Sequence, residues 1–209
     1  RSTVSIAAVL VSFSLMVAMA IMVYSFRNSL DGWMQRILPA DLYVRSGGSS
    51  LTSHLDEAAQ RAIAAVEGVA RADFVRFQDI ALPGPGLPLT VIARPIDEED
   101  AGRILPLRRT DPDPAPPGTV PVWASEAALD LRGFDLGTVF DLPLGGQTLR
   151  ASVRGLWRDY ERPGGSIVMP REVFVRYTGD TRATTASLWL TRDADAEVVA
   201  RRIRAALQR

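Results

Sequence analysis

Cysteine and lysine are both absent from this sequence, and histidine occurs once, as His54. Without cysteine there is no disulfide, no thiolate nucleophile and no Cys-ligated zinc. Without lysine there is neither the lysine of a phosphate-binding Walker A loop nor a Schiff-base amine, so the chain cannot itself be a P-loop ATPase. A Ser-His-Asp triad or a His-ligated metal would have to use His54, and that residue sits beside a helix start, where an idle histidine is the plain reading. Charge is also missing in the net: 24 basic residues, all arginine, balance 24 acidic ones. No basic surplus is available for a nucleic-acid backbone, and no nucleic-acid partner is expected.

What the sequence has instead is a long apolar start. No charged side chain occurs from Ser2 to Phe26. The stretch Val4 to Tyr24 is long enough, at about 1.5 Å per helical residue, to cross a hydrocarbon core of about 30 Å. A cleaved leader is the competing reading, because Ala18-Met19-Ala20 resembles a small-residue cleavage site; the apolar run, however, continues past it and exceeds the usual leader core of about 7–15 residues. The chain opens on Arg1, as an excised piece of a longer protein would. Ser5, Ser12 and Ser14 suit close contact with neighbouring transmembrane helices. Arg1 before the span and Arg27 and Arg36 after it nearly cancel as an orientation signal. After the span, Phe26, Leu30, Trp33, Ile37 and Leu38 recur at helical spacing among Arg27, Asp31 and Arg36. The expectation is a transmembrane helix over residues 1–25 and an amphipathic stalk over 26–39, ending at Pro39, with Trp33 as an interfacial anchor or as part of a packing face.

The remaining residues, about 170, suffice for one cored domain or two small lobes. Residues 40–45 alternate as a short strand. Ser53 is placed to cap a helix reaching Val66, with Leu55, Ala58, Ala59, Ala62, Ile63 and Val66 as its apolar stripe. Two strands, Val69 to Leu82 and Leu87 to Ala93, flank the turn Pro83-Gly84-Pro85-Gly86. Arg108 to Gly118 is so rich in Pro and Asp that an exposed loop is expected. A strand at Thr119 to Ala124 and a helix at Ser125 to Leu131 follow. Strands Thr138 to Leu144 and Gln147 to Trp157 close around Gly145-Gly146 as a hairpin. A strand at Ser166 to Met169, a helix opened by Pro170, a strand at Thr184 to Thr191 and a helix at Asp193 to Gln208 complete the chain. The fold class is α+β, with α/β units at both ends, 40–95 and 166–209, and a strand-rich middle at 96–165.

No cofactor or metal site emerges. Asp97-Glu98-Glu99-Asp100 offers oxygen ligands but lacks the alternating spacing and glycine of a calcium loop. Gly47-Gly48 and Gly164-Gly165 match no phosphate-cradling fingerprint. Arg201, Arg202, Arg204 and Arg209 on the last helix could meet anionic lipid heads, although a solvated helix face explains them as well.

Three passages, taken together and in order, resemble the FtsX-like/MacB-like family of ABC transporter permeases. The first is the span leading into Ser25-Phe26-Arg27-Asn28-Ser29-Leu30 and then Leu38-Pro39-Ala40-Asp41-Leu42-Tyr43-Val44. The second is Val122-Trp123-Ala124-Ser125-Glu126-Ala127-Ala128-Leu129 followed by Phe134-Asp135-Leu136-Gly137-Thr138-Val139-Phe140-Asp141-Leu142. The third is Leu149-Arg150-Ala151-Ser152-Val153-Arg154-Gly155-Leu156 with Ile167-Val168-Met169-Pro170. The resemblance implies a bacterial inner-membrane protein with a two-lobed MacB-like periplasmic core domain and no enzymatic activity of its own. It also implies a cytoplasmic ABC ATPase as a separate chain or domain, a permease dimer, contact with membrane lipid, and a periplasmic partner or lipoprotein cargo. In such permeases ATP-driven motion passes through the first-span stalk, which here would be Phe26, Leu30, Trp33 and Ile37. The alternative from the layout is a periplasmic ligand-sensing domain of a membrane receptor or kinase.

Overall fold

The computed structural model describes residues 2–37, 40–45, 54–82 and 86–208, with side chains of the first helix described from Leu10 to Asn28. The chain divides into two compact units, Arg1–Pro39 and Ala40–Arg209. The first is helix α1, Ser2–Ile37, 36 residues without an internal break, hence about 54 Å long. No proline or glycine interrupts it before Gly32, so the apolar stretch and the amphipathic stretch form one rod. Leu10–Asn28 is long and apolar enough to cross a membrane, and none of its apolar surface is buried within the chain.

The second unit is built on a nine-stranded mixed sheet. Its strands are β1 (Leu42–Arg45), β2 (Val69–Ile80), β3 (Leu89–Arg94), β4 (Leu107–Thr110), β5 (Val120–Ser125), β6 (Val139–Leu144), β7 (Gln147–Trp157), β8 (Ser166–Pro170) and β9 (Thr185–Leu190). The helices of this unit are α2 (Glu57–Ala64), α3 (Ala101–Ile104), α4 (Glu126–Arg132), α5 (Arg171–Thr178) and α6 (Ala196–Leu207). Across the sheet the order is β1-β9-β2-β3-β8-β5-β7-β4, with β6 also on β7. Strand β2 is long enough to serve two neighbours: Val69 to Val75 pair with β9, and Arg76 to Ile80 pair with β3.

Side-chain alternation sorts the core into three groups. Leu42, Val44, Ala186 and Leu188 face α2 and α6, where Ile63, Val199 and Ile203 meet them. Leu89, Val91, Val122, Leu149, Ile167, Met169 and Phe174 fill the largest group, under α4 and α5. The opposite parity, Val75, Ile92, Trp123, Trp157 and Val168, is covered by Ala101 and Leu105. Strand β8 is buried on both faces, with Ile167 and Met169 on one side and Val168 on the other. A short apolar run covered on both faces is what a central strand needs. Both β8 and α5 thus pack with the middle of the chain, while α6 packs with its beginning.

Three local expectations change. The helix expected from Ser53 to Val66 is shorter. Leu55 is held in a two-bond bridge to Ala183, so Asp56 becomes the N-cap, accepting from the Ala59 N–H at 2.7 Å; Ser53 itself lies outside the described residues. The loop expected over Arg108 to Gly118 starts later, because Arg109 and Thr110 pair with Leu156 and Gly155 of β7. Pro170 is not inside its helix: it ends β8 and stands as the N-cap of α5. The loop glycines Gly47-Gly48 and the turn residues Pro83, Gly84 and Pro85 lie outside the described residues.

The passage from Val122 to Leu142 has a clear physical basis. Ser125 ends β5, and its hydroxyl oxygen accepts from the Ala128 N–H at 3.2 Å, capping α4, and from the Ser166 N–H at 2.9 Å, fixing the start of β8. Gly133 ends α4 in the left-handed conformation at φ 71°. A Ser at the strand end and a Gly at the helix end are the residues such a strand–helix turn requires.

Candidate functional site

The sequence singles out Phe26, Leu30, Trp33 and Ile37. All four lie on the unbroken α1. Phe26 is 66% exposed; the side chains of Leu30, Trp33 and Ile37 are outside the described region. Other candidates resolve into structural roles. In the acidic run Asp97 accepts from the Asp100 N–H at 2.7 Å, ahead of α3, and Glu98 pairs with Arg154 at 2.9 Å. Among the described residues no group of three His, Asp or Glu side chains is arranged to hold a metal ion. Gly165, at φ 85°, lets the backbone pass close to Ala128 of α4. Arg202 reaches Glu67 at 3.0 Å, and Arg201 lies 3.9 Å from Glu197.

His54 is not idle. Its Nδ1 is 3.4 Å from an Arg76 guanidinium nitrogen. Arg76, one side chain from β2 that is nearly buried, also donates to Asp180 at 3.0 Å, to the Phe77 carbonyl at 3.2 Å and to the Thr184 hydroxyl at 3.3 Å. Burial pushes the Asp180 carboxyl up, but hydrogen bonds from the Arg182 side chain and backbone, together with the Arg76 charge, outweigh it and hold the group at about 2. Burial beside two arginines keeps the His54 ring below its ordinary value. Nearby, Arg171 donates to the Thr181 carbonyl at 2.6 Å and to Gln60 at 3.2 Å. These bonds stitch the α5–β9 connection to the start of α2.

A second arginine centre organises the other end. Arg154, on β7, is nearly buried and grips Asp111 at 2.5 Å, Glu98 at 2.9 Å and the Asp113 carbonyl. It holds the Asp/Pro-rich loop against the sheet. A third, around Asp159, uses Arg162 at 3.1 Å and the Ser166 hydroxyl at 2.6 Å. Periodicity could not find these centres. It shows that Arg76 and Arg154 sit in apolar strands, which is the available signal, but not which carboxylates come to meet them.

One edge of the sheet, at β1 and β9, has helices on one side only among the described residues. Alternation puts Tyr43, Arg45, Arg71, Asp73, Arg94, Ser187 and Trp189 on the side away from α2 and α6, and no helix of this unit among the described residues packs on the β1-β9 part of it. Arg71 clasps Asp73 with two bonds, 2.8 and 2.6 Å, and lies over the Trp189 ring at 4.6 Å. An open cleft of about 740 Å³ adjoins Arg71, with Asp97, Glu98 and Glu99 among its walls.

Among the described residues these arginine centres hold loops and strand ends together. No known protein-family profile matches the chain. An uncharacterized ABC transporter permease protein of Mycobacterium tuberculosis is 28% identical over 219 residues, spanning 99% of this chain. The chain spans 25% of that permease's length. Among solved structures, the periplasmic region of MacB from Actinobacillus actinomycetemcomitans matches with a TM-score of 0.53 at 12% identity, covering 79% of this chain and 81% of that one. The extracellular domain of the noncanonic ABC-type transporter YknZ from Gram-positive bacteria matches with a TM-score of 0.48 at 15% identity, over 77% of this chain and 86% of that one. The mixed sheet with its helices is therefore a MacB-type periplasmic fold, as the sequence resemblance implies. The membrane-length α1 joined to that fold fits an inner-membrane protein with a periplasmic domain.

Proposed function

We propose that this chain is a periplasmic domain, with the membrane span that leads into it, of an ABC transporter permease of the FtsX/MacB/LolC-like type. The observation that carries the reading is the extent of the similarity: it runs over 99% of the chain, apolar helix and sheet domain alike. A cytoplasmic ABC ATPase supplies the hydrolysis, since this chain has no lysine to build a phosphate loop. The permease works as a dimer in the bilayer, and closure at the ATPase moves α1 along its axis. A continuous helix is stiff enough for that task, because every backbone bond in it resists bending together. The stalk face Phe26, Leu30, Trp33 and Ile37 passes the motion to the periplasmic domain. That domain consists of a split α/β lobe and a strand-rich insertion, and it acts on envelope cargo such as lipoproteins or lipids, or on a periplasmic partner.

The test uses the full-length permease reconstituted with its ATPase in nanodiscs. Leu30→Arg and Trp33→Arg should leave expression and basal ATP hydrolysis intact while abolishing the cargo- or partner-dependent change in hydrolysis. Wild-type coupling in both variants would overturn the stalk role. Failure of any ABC ATPase to assemble with the full-length protein would overturn the permease reading itself.

A further inference from the structure

The helix-covered face of the sheet carries two cores rather than one. The group under α2 and α6 takes Ala72 and Phe74 from β2, and the group under α4 and α5 takes Ile80 from the same strand. Strand side chains alternate, so Arg76 and Gln78 lie on that same face, between the two cores. The apolar stripe of β2 is thus cut by two polar residues where the strand changes partners, from β9 up to Val75 to β3 from Arg76 onward. Among the described residues no packing group joins side chains of α2 or α6 to those of α4 or α5. On the opposite face Val75, at the change-over itself, is the one residue of the β9-paired stretch that packs with the second lobe among the described residues. The chain passes between the lobes at two places, the 75–76 peptide and the α5–β9 connection at 179–184. These lie side by side. The Thr184 N–H donates to the Val75 carbonyl at 2.8 Å, the Phe77 N–H to the Thr184 hydroxyl at 3.2 Å, and Arg76 to Asp180 at 3.0 Å. A second bridge joins helix to helix: Arg171 of α5 donates to the Gln60 amide oxygen of α2 at 3.2 Å, and both donate to the Thr181 carbonyl, at 2.6 and 2.8 Å.

We propose that the sheet domain is a hinged pair. The lobe of β1, β9, α2 and α6 rotates against the lobe of β3 to β8 about the paired crossings at 75–76 and 179–184, and the Arg171–Gln60 contact latches it. Separating packed apolar groups exposes them to water, whereas a hydrogen-bonded seam exchanges its bonds for bonds to water. Polar seams of this kind are the ones across which lobes move, and a hinge needs only a few residues at strand and loop ends. The cleft of about 740 Å³ lies at the same waist, bordered by Arg71 of the first lobe and by Pro95, Pro121 and Pro170 of the second, so the rotation changes its width. The hinge belongs to the fold itself and is independent of the transport reading.

The absence of cysteine lets spin labels be placed one pair at a time in the whole chain, held in phosphatidylcholine nanodiscs. Double electron–electron resonance between Ala205→Cys on α6 and Asp130→Cys on α4, and between Ala205→Cys and Thr148→Cys on β7, reads across the seam. Asp130→Cys with Thr148→Cys reads within the second lobe; all three positions are exposed. Gln60→Ala removes the latch and puts the strongest helix former at a half-buried site of α2, so the helix is kept. It should broaden or shift both cross-seam distance distributions and leave the within-lobe distribution as it is. Arg171→Gln should act in the same direction. Glu172→Gln, at the next and exposed position of α5, should change none of the three. Cross-seam distributions that Gln60→Ala leaves unchanged, or a within-lobe distribution that broadens as much as they do, overturn the hinge.

Discussion

Replacing Asp180 by Asn should destabilise the periplasmic domain at neutral pH and hardly at all in strong acid. The Asp180 side chain is 12% exposed. It accepts from Arg76 Nε at 3.0 Å, from Arg182 Nε at 2.7 Å and from the Arg182 backbone N–H at 3.1 Å. Its carboxyl is held at about 2 against an ordinary 3.8. A gap of nearly two pKa units corresponds to about 2 kcal/mol of folded-state preference for the ionised form. Because the folded value is depressed, this contribution is complete above about pH 5. It declines as the unfolded chain begins to bind the proton, and is gone only below about pH 2. The loss in Asp180→Asn is bounded above at roughly 3–5 kcal/mol, the cost of leaving a buried charge without its partner. Arg76 is 10% exposed and would be that charge. Urea unfolding in detergent micelles, followed by near-ultraviolet dichroism from Trp123 and Trp157, gives the difference between wild type and variant at each pH. A difference that stays constant from about pH 7 to about pH 2.5, or that never exceeds the ~0.5 kcal/mol of an ordinary surface change, would refute the reasoning.

Three further outcomes follow from the same centres. An arginine can only donate, so the 3.4 Å contact from Arg76 requires an unprotonated His54 Nδ1. Stability should therefore fall as pH drops below 6.5 toward the lowered folded value, and His54→Gln should flatten that step; an NMR-measured ring pKa at or above the ordinary value would contradict this. Gly165→Ala puts a Cβ only 2.8 Å from Ala128 Cα, at φ 85°, and should cost roughly 2–3 kcal/mol by thermal unfolding. Arg154→Leu removes the clamp on Asp111, Glu98 and Asp113; limited proteolysis should then cut within residues 111–118, and an unchanged digestion pattern would show that the clamp does not hold the loop.

Elements decided by neighbouring residues were legible in the sequence. The hairpin around Gly145-Gly146 forms as Val139–Leu144 and Gln147–Trp157, because its turn and its alternation are local. The helix read at Ser125 to Leu131, which forms as Glu126–Arg132, was legible for the same reason. The place of β8 was not. Its five residues would read the same at any central position, and only contacts with β3 on one side and β5 on the other assign it. The start of α2 shifted because the Leu55–Ala183 bridge outcompetes an earlier helical turn, and the bridge joins residues far apart in sequence. For the site, the pattern gave α1 and its apolar stripe. It could not show that Arg94 would find no partner among the described residues, because the period of a strand fixes the side a residue faces and not the charge it meets.

The packing of β1 and α6 has a mechanical consequence. Leu42 and Val44 of β1, Ala186 and Leu188 of β9, and Val199 and Ile203 of α6 belong to a single packing group. Under the proposed transport reading, a pull applied between Ala40 and Gln208 would run through that group: four rungs of the β1–β9 ladder and one layer of side chains to α6. The larger sheet, from β3 to β7, lies beside this route as a side branch, so changes in its loops and surface would leave the route's own contacts untouched.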